Sequence, residues 1–266
     1  MNCIQWNMDP VAFFLGPVPF TWYGISIGLL FIASYLVSNW QFNRAGIPTD
    51  KLFGFVFAVF GGAILGAFLF HRIFYEWDTL VSDPLRLFNI KGGLSGLASH
   101  GLLPGALIPA FFYYRAFKRP ILDLMDRGVF CGALAGFFIR LGNLANSEII
   151  GKPSDGPFAF CFLAVDDVPR HPSQLYESLI GLTVFGLLAV ADRLAGKENR
   201  PMGFLSGLFL VLMFSLRFVA EFFKQRLTVG ESSVLSMGQY LSLPFVVVGV
   251  GLMVYSLRRQ RRLANT

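Results

Sequence analysis

Seven apolar runs, separated by short polar or basic connections, restrict this chain to folds that cross a membrane repeatedly. They cover about 22–40, 52–70, 94–113, 128–141, 175–190, 202–223 and 240–257. Trp22 and Tyr23 open the first run, at the level aromatic side chains favour between lipid and water. Gly62-x-x-x-Gly66 in the second allows another helix to approach closely. The fourth, at about 14 residues, is short against the ~20 needed to cross, so the polar residues that follow it fall within or just outside the bilayer. Charged residues make up 14% of the chain, against about 25% in a typical soluble domain. The expected architecture is all-α: one integral membrane domain, 1–266, with about seven transmembrane helices. Residues 1–21, a polar and apolar mixture with three prolines, are expected to lie outside near the interface.

Basic residues set the expected orientation. The connections 41–51, 114–127, 191–200 and 258–266 hold 13 of the 22 lysines and arginines. The basic tail at Arg258, Arg259, Arg261 and Arg262 is therefore expected in the cytoplasm and the N-terminus outside. The first basic residue is Arg44, so the start lacks the charged region of a secretory signal, and the first run is expected to stay as an anchor. A formal charge of +6 suits anionic lipid, and no polar basic domain is present to bind nucleic acid. The cysteines and histidines are too dispersed for a metal motif, and no cofactor is implied. Cys131 sits in an apolar run as a packing residue. Cys3 and Cys161 both fall in external segments, and their pairing is left open.

The polar residues inside or beside the runs are the candidates for chemistry. Arg140 is followed closely by Asn143, Asn146 and Glu148. An arginine alone at a helix end snorkels to the headgroups, but the cluster after it favours a site, because charge at bilayer depth persists mostly when paired or facing a wet cavity. Arg217 and Glu221 are spaced to share a helical face and to pair. Arginine's planar fork suits a phosphate. His100 lies in a glycine-rich stretch, where a lone histidine commonly fills a hydrogen-bonded core position. Tyr23, read alone, is an interfacial aromatic. With the expected orientation, Tyr23, His100, Arg140 and Arg217 all come to the outer leaflet from four separate spans.

These segments resemble the prolipoprotein diacylglyceryl transferase family. The resemblance rests on Trp22-Tyr23-Gly24, Ser99-His100-Gly101, Arg140-Leu141-Gly142-Asn143 with Asn146 and Glu148, and Arg170-His171-Pro172-Ser173-Gln174-Leu175-Tyr176-Glu177. Arg217-Phe218-Val219-Ala220-Glu221-Phe222-Phe223-Lys224 and Ser236-Met237-Gly238-Gln239 complete an ordered set from about 22 to 239. Leu102 and Pro104 depart from the family's His-Gly-Gly-Leu-Ile-Gly, and Met213 stands where members often carry tyrosine. The resemblance implies a bacterial inner-membrane enzyme that moves diacylglycerol from phosphatidylglycerol to the lipobox cysteine thiol of a prolipoprotein signal peptide, leaving a thioether and glycerol phosphate. His100 is the expected general base. Arg140 and Arg217 would hold the phosphate, and Asn143 and Asn146 would donate to lipid oxygens. Tyr23 would bond the headgroup, while Glu148 and Glu221 would orient the arginines. The alternatives are a phospholipid or small-anion transporter using the same arginines, and a divergent paralogue with impaired activity.

Overall fold

The computed structural model describes residues 3–83, 99–117, 119–225 and 235–264. It is mostly helical, with α1 Trp22–Arg44, α2 Leu52–Tyr75, α3 Trp77–Ser82, α4 Ser99–Ala116, α5 Ile121–Ala145, α6 Ser173–Leu194, α7 Phe204–Ala220 and α8 Met237–Ala264. Among the described residues, six helices (α1, α2, α5, α6, α8, and α7 with the turn after it) are long and apolar enough to cross a membrane. The third expected run appears as α4, whose apolar part, Pro104–Tyr113, is shorter than the others. Residues 94–98 of that run lie outside the described residues.

The expectation of purely helical structure needs correction at residues 1–21. β1 Ile4–Trp6, β2 Val11–Leu15 and β3 Val18–Thr21 occupy most of that segment. Val11, Phe13, Phe14, Val18 and Phe20 are strand-favouring residues, and Gly16, at φ 60°, makes the turn from β2 to β3. β2 and β3 form an antiparallel hairpin. β1 pairs in parallel with β4 (Phe160–Phe162), which pairs antiparallel with β5 (Pro169–Arg170). A disulfide joins Cys3 to Cys161, closing the question of pairing. The Trp6 indole donates to the Leu144 carbonyl at 3.0 Å, and Leu144, Phe160 and Phe162 form a small core. This sheet is thereby held to the end of α5.

Two compact units are present, Met1–Val37 with Leu122–Thr266, and Ser38–Ile121. In the second, α2 and α4 meet along glycine. A Cβ on Gly66 would collide with the Gly101 carbonyl and one on Gly62 with that of Gly105, so the helices approach backbone to backbone as Gly62-x-x-x-Gly66 suggested. α4 continues through Pro104 and Pro109, each of which removes one helical hydrogen bond. Edge-on contacts of Phe117 with Phe42 (5.1 Å) and Phe55 (5.4 Å) close its end.

In the first unit, Phe130 and Ala133 of α5, Val184 and Leu188 of α6 and Leu205 of α7 form the core. α5 corrects the short fourth run. It spans 25 residues, about 37 Å at 1.5 Å per residue, because it begins at Ile121 rather than near 128. Asp123, Asp126 and Arg127 interrupt the apolar pattern, yet all three are buried in its first turns. Arg127 bonds Asp123 at 3.0 Å and Glu198 at 2.6 Å, and Arg200 bonds Asp192 at 3.0 Å. Mutual neutralisation lets charges that resemble a loop stay inside a helical bundle.

Candidate functional site

Arg140 lies five residues before the end of α5, inside the helix rather than at its tip. Its Nε is 2.8 Å from Glu177 Oε2 of α6, a charge contact poorly aligned as a hydrogen bond. Nη1 donates to Asn143 Oδ1 at 3.1 Å. The Asn143 amide donates to Glu148 Oε2 at 2.9 Å, and the Asn146 amide to Glu148 Oε1 at 3.2 Å. The cluster read from the sequence is thus one continuous network. It requires a sharp turn after α5, where Ser147 and Ile149 take φ of 55° and 56°. Side chains from α6 hold that costly backbone: Gln174 donates to the Glu148 carbonyl at 2.6 Å and Ser173 to that of Ile149 at 2.7 Å. Tyr23, in the first turn of α1, packs against Gly142, where an added Cβ would strike its ring. It comes within the fields of Arg140 and Glu148.

A cavity of about 190 Å³ opens beside this network, lined by Ala135, Gly136, Ile139, Arg140, Glu177, Ile180, Met213 and Arg217. Its walls are apolar except for two guanidinium groups and one carboxylate. The expected Arg217–Glu221 pair does not form. α7 ends at Ala220, and Glu221, whose N–H still bonds the Arg217 carbonyl one helical turn back, opens the 3-10 turn Glu221–Phe223. Glu221 instead accepts from Lys224 at 2.8 Å and from Ser236 at 3.0 Å. Arg217 has no hydrogen bond or ion pair among the described residues, and it lies close enough to Arg140 for the two cations to repel.

Family membership follows from comparison with known proteins. The family model for prolipoprotein diacylglyceryl transferase matches residues 10–255. The phosphatidylglycerol–prolipoprotein diacylglyceryl transferase of Tolumonas auensis is 38% identical over 97% of this chain and 99% of its own length. That of Chloroherpeton thalassium is 39% identical over 99% and 97%, and that of Vibrio cholerae 37% over 95% and 93%. The chain belongs to this family.

Of the residues the sequence singled out in this transferase, Tyr23, Arg140, Asn143, Asn146, Glu148, Arg217 and Glu221 all fall in the first unit. His100 starts α4 in the second unit, and its side chain lies outside the described residues. Met213 lines the cavity beside Gly136. Two network members were not among the candidates. Glu177 bridges Arg140 and Lys224, the latter at 3.4 Å, and Lys224 in turn bridges to Glu221. Glu177 closes the motif that begins at His171, so the signal was present. Lys224 closes the segment that begins at Arg217 but was given no role, and the folded chain brings it to Glu177.

The segment after α5 is fixed to the end of α7. Lys152 N–H donates to the Phe223 carbonyl at 2.9 Å, and Arg170 reaches Asp166, the Gly151 carbonyl and Gln225. The Arg170 guanidinium bonded to Asp166 holds that carboxyl below its ordinary value. His171 Nδ1 lies 3.1 Å from the Tyr176 hydroxyl. Among the described residues, no group of three or more His, Cys, Asp or Glu side chains is arranged to hold a metal ion.

Proposed function

We propose that this protein transfers the diacylglyceryl group of phosphatidylglycerol to the lipobox cysteine thiol of prolipoproteins in the bacterial inner membrane. The observation that carries the reading is Arg217, a guanidinium without a hydrogen bond or ion pair among the described residues, lining a largely apolar cavity with Arg140 and Glu177. Such a cavity suits a lipid phosphate, with the acyl chains left to apolar surroundings. The thiolate forms a C–S bond to the glyceryl carbon, the C–O bond to phosphate breaks, and its electron pair leaves on glycerol phosphate. Arg140 and Arg217 take up the charge that grows on the leaving phosphate. Asn143, Asn146 and Tyr23 bond headgroup oxygens. Glu148 and Glu221 act by orientation, Glu148 through Asn143 and Glu221 through Lys224.

Incubation of the purified protein with phosphatidylglycerol and a lipobox peptide yields thioether-linked peptide and glycerol phosphate in equal amounts. Failure to form both products overturns the assignment. The same assay decides the role of His100. A free thiol titrates near pH 8.5, so a base is needed at neutral pH, and such a base contributes about 10²–10⁴-fold. His100→Ala loses turnover by that factor and regains part of it as pH rises, because hydroxide then supplies thiolate. Undiminished turnover of His100→Gln at neutral pH removes His100 from the mechanism.

The orientation belongs to this proposal: N-terminus outside, C-terminus in the cytoplasm, seven spans with α4 as the third. The Cys3–Cys161 disulfide supports it, since such bonds persist in oxidising compartments. The count of basic residues supports it less than at first reading, because Arg127 and Arg200 are neutralised by buried acids. A cytoplasm-active reporter fused after Arg262 is active and a periplasm-active one silent. The reverse pattern rejects the topology.

A further inference from the structure

No charged residue occurs between Asp9 and Arg44, so the β2–β3 hairpin and all of α1 short of its last residue form one uncharged stretch. Phe13 stacks on Phe20 at 4.9 Å between ring centroids, and Leu15 pairs with Val18 on the same face. Phe14 and Pro19 point to the opposite face. The hairpin is therefore apolar on both sides, and it is not covered on either. Leu15 on one face and Phe14 on the other are each 67% exposed, with Phe13 at 51% and Val18 at 54%. A short two-stranded ribbon of this kind is an unstable object in water and exposes edges that invite aggregation.

What covers it is indicated by continuity. β3 ends at Thr21 and α1 begins at Trp22 with nothing between, and the Trp22 N–H donates to the Pro10 carbonyl at 3.0 Å, clamping the base of the hairpin to the start of the span. Leu29, Ile32 and Leu36 are exposed farther along the same helix. The apolar surface of the hairpin thus continues that of a membrane-crossing helix. Its outer strand edges carry backbone groups that require water or headgroup partners, which excludes the hydrocarbon interior.

We infer that the β2–β3 hairpin is a membrane-inserted wedge, seated at the boundary of headgroups and acyl chains in the leaflet where α1 begins. Its partner is the lipid surface, and the inference stands apart from the chemistry at Arg140 and Arg217. The test uses the full chain with Cys131→Ser and the Cys3–Cys161 bond intact. One cysteine at Phe14 or Leu15, or at exposed Asn7 as control, carries an environment-sensitive NBD fluorophore. The protein is placed in phosphatidylcholine–phosphatidylglycerol nanodiscs with doxyl groups at carbon 5 or carbon 12. At Phe14 and Leu15, emission is expected to shift to the blue of the Asn7 probe and to be quenched more by 5-doxyl than by 12-doxyl lipid. Emission matching Asn7 overturns the inference, as does stronger quenching at carbon 12. A blue shift without lipid quenching overturns it in favour of a second copy of the chain. A shift that appears only on adding lipobox peptide overturns it in favour of substrate docking. None of these readings depends on turnover.

Discussion

Replacing Arg217 by alanine is expected to lower turnover by about 10²–10³-fold, the usual cost of removing one donor aimed at developing charge, while thermal stability stays close to that of the unmodified protein. The separation follows from the structure. Arg217 has no hydrogen bond or ion pair among the described residues, so its removal strands no buried partner. Arg140 differs. Its loss leaves Glu177 with only the longer 3.4 Å contact to Lys224, and leaves Asn143 Oδ1 without its donor. Arg140→Ala should therefore lose both activity and melting temperature, since a buried charge without its partner is strongly destabilising. Lysine separates the two arginine roles from simple charge. It keeps the charge but not the planar fork, so Arg217→Lys should fail nearly as badly as Arg217→Ala. The measurement is turnover of the three variants with thermal unfolding of the same detergent samples. Near-normal turnover of Arg217→Lys would reject two-point holding of a phosphate. A large loss of stability in Arg217→Ala would assign that arginine to the fold.

Helix placement was legible because apolar length is a strong signal: runs near 22–40, 52–70, 175–190 and 202–223 correspond to α1, α2, α6 and α7. The weak points share a physical cause. Periodicity and charge counting treat each residue as though it met solvent or lipid by itself. Asp123, Asp126 and Arg127 therefore read as connection, although Glu198 and Arg200 from distant positions neutralise them inside the bundle. The N-terminal strands were missed for a related reason. β1 exists by pairing with β4, more than 150 residues away, and local propensity carries no record of such a partner.

The site was legible in composition and less so in connectivity. Arg140, Asn143, Asn146 and Glu148 are close in sequence, and a turn at Ser147–Ile149 folds them into direct contact. Arg217 and Glu221 illustrate the opposite case. Their spacing suits a pair on one helical face, and Glu221 still follows Arg217 by one helical turn, but its carboxylate is taken by Lys224 and Ser236. That exchange leaves Arg217 without a hydrogen bond or ion pair among the described residues, in the cavity wall beside Arg140. Helix geometry sets which neighbours are available, but competing partners such as Lys224 and Ser236 decide which are taken.

The buried charge cluster at the start of α5 leads to the other large expected effect, on stability rather than turnover. Asp126 is fully buried. Its Oδ1 accepts from the Ser206 N–H at 2.8 Å and the Ser206 hydroxyl at 2.6 Å, and its Oδ2 from the Gly203 N–H at 2.8 Å. The carboxylate thus caps the start of α7 from another helix, at the end where backbone N–H groups lack helical acceptors. Arg200 stands 3.6 Å away, between Asp123, Asp126 and Asp192. Asp126→Ala leaves two buried N–H groups and a hydroxyl unpaired and removes one of the three carboxylates around Arg200. The expected cost is about 3–5 kcal/mol, the range for breaking a buried charge pair. Asp126→Asn should be milder, because its one oxygen still serves Ser206 while its NH₂ faces the Gly203 donor. None of these residues lines the Arg140–Arg217 cavity, so surviving folded protein should keep its turnover per molecule at low temperature. Arg258→Ala, at an exposed position near the end of α8, serves as the control and should melt as the unmodified protein does. Thermal unfolding of the three variants in one detergent decides the matter. Equal melting of Asp126→Ala and Arg258→Ala would show that water or a rearranged side chain replaces the carboxylate. The ordering Asp126→Ala below Asp126→Asn below Arg258→Ala would establish it as the cap that joins α5 to α7.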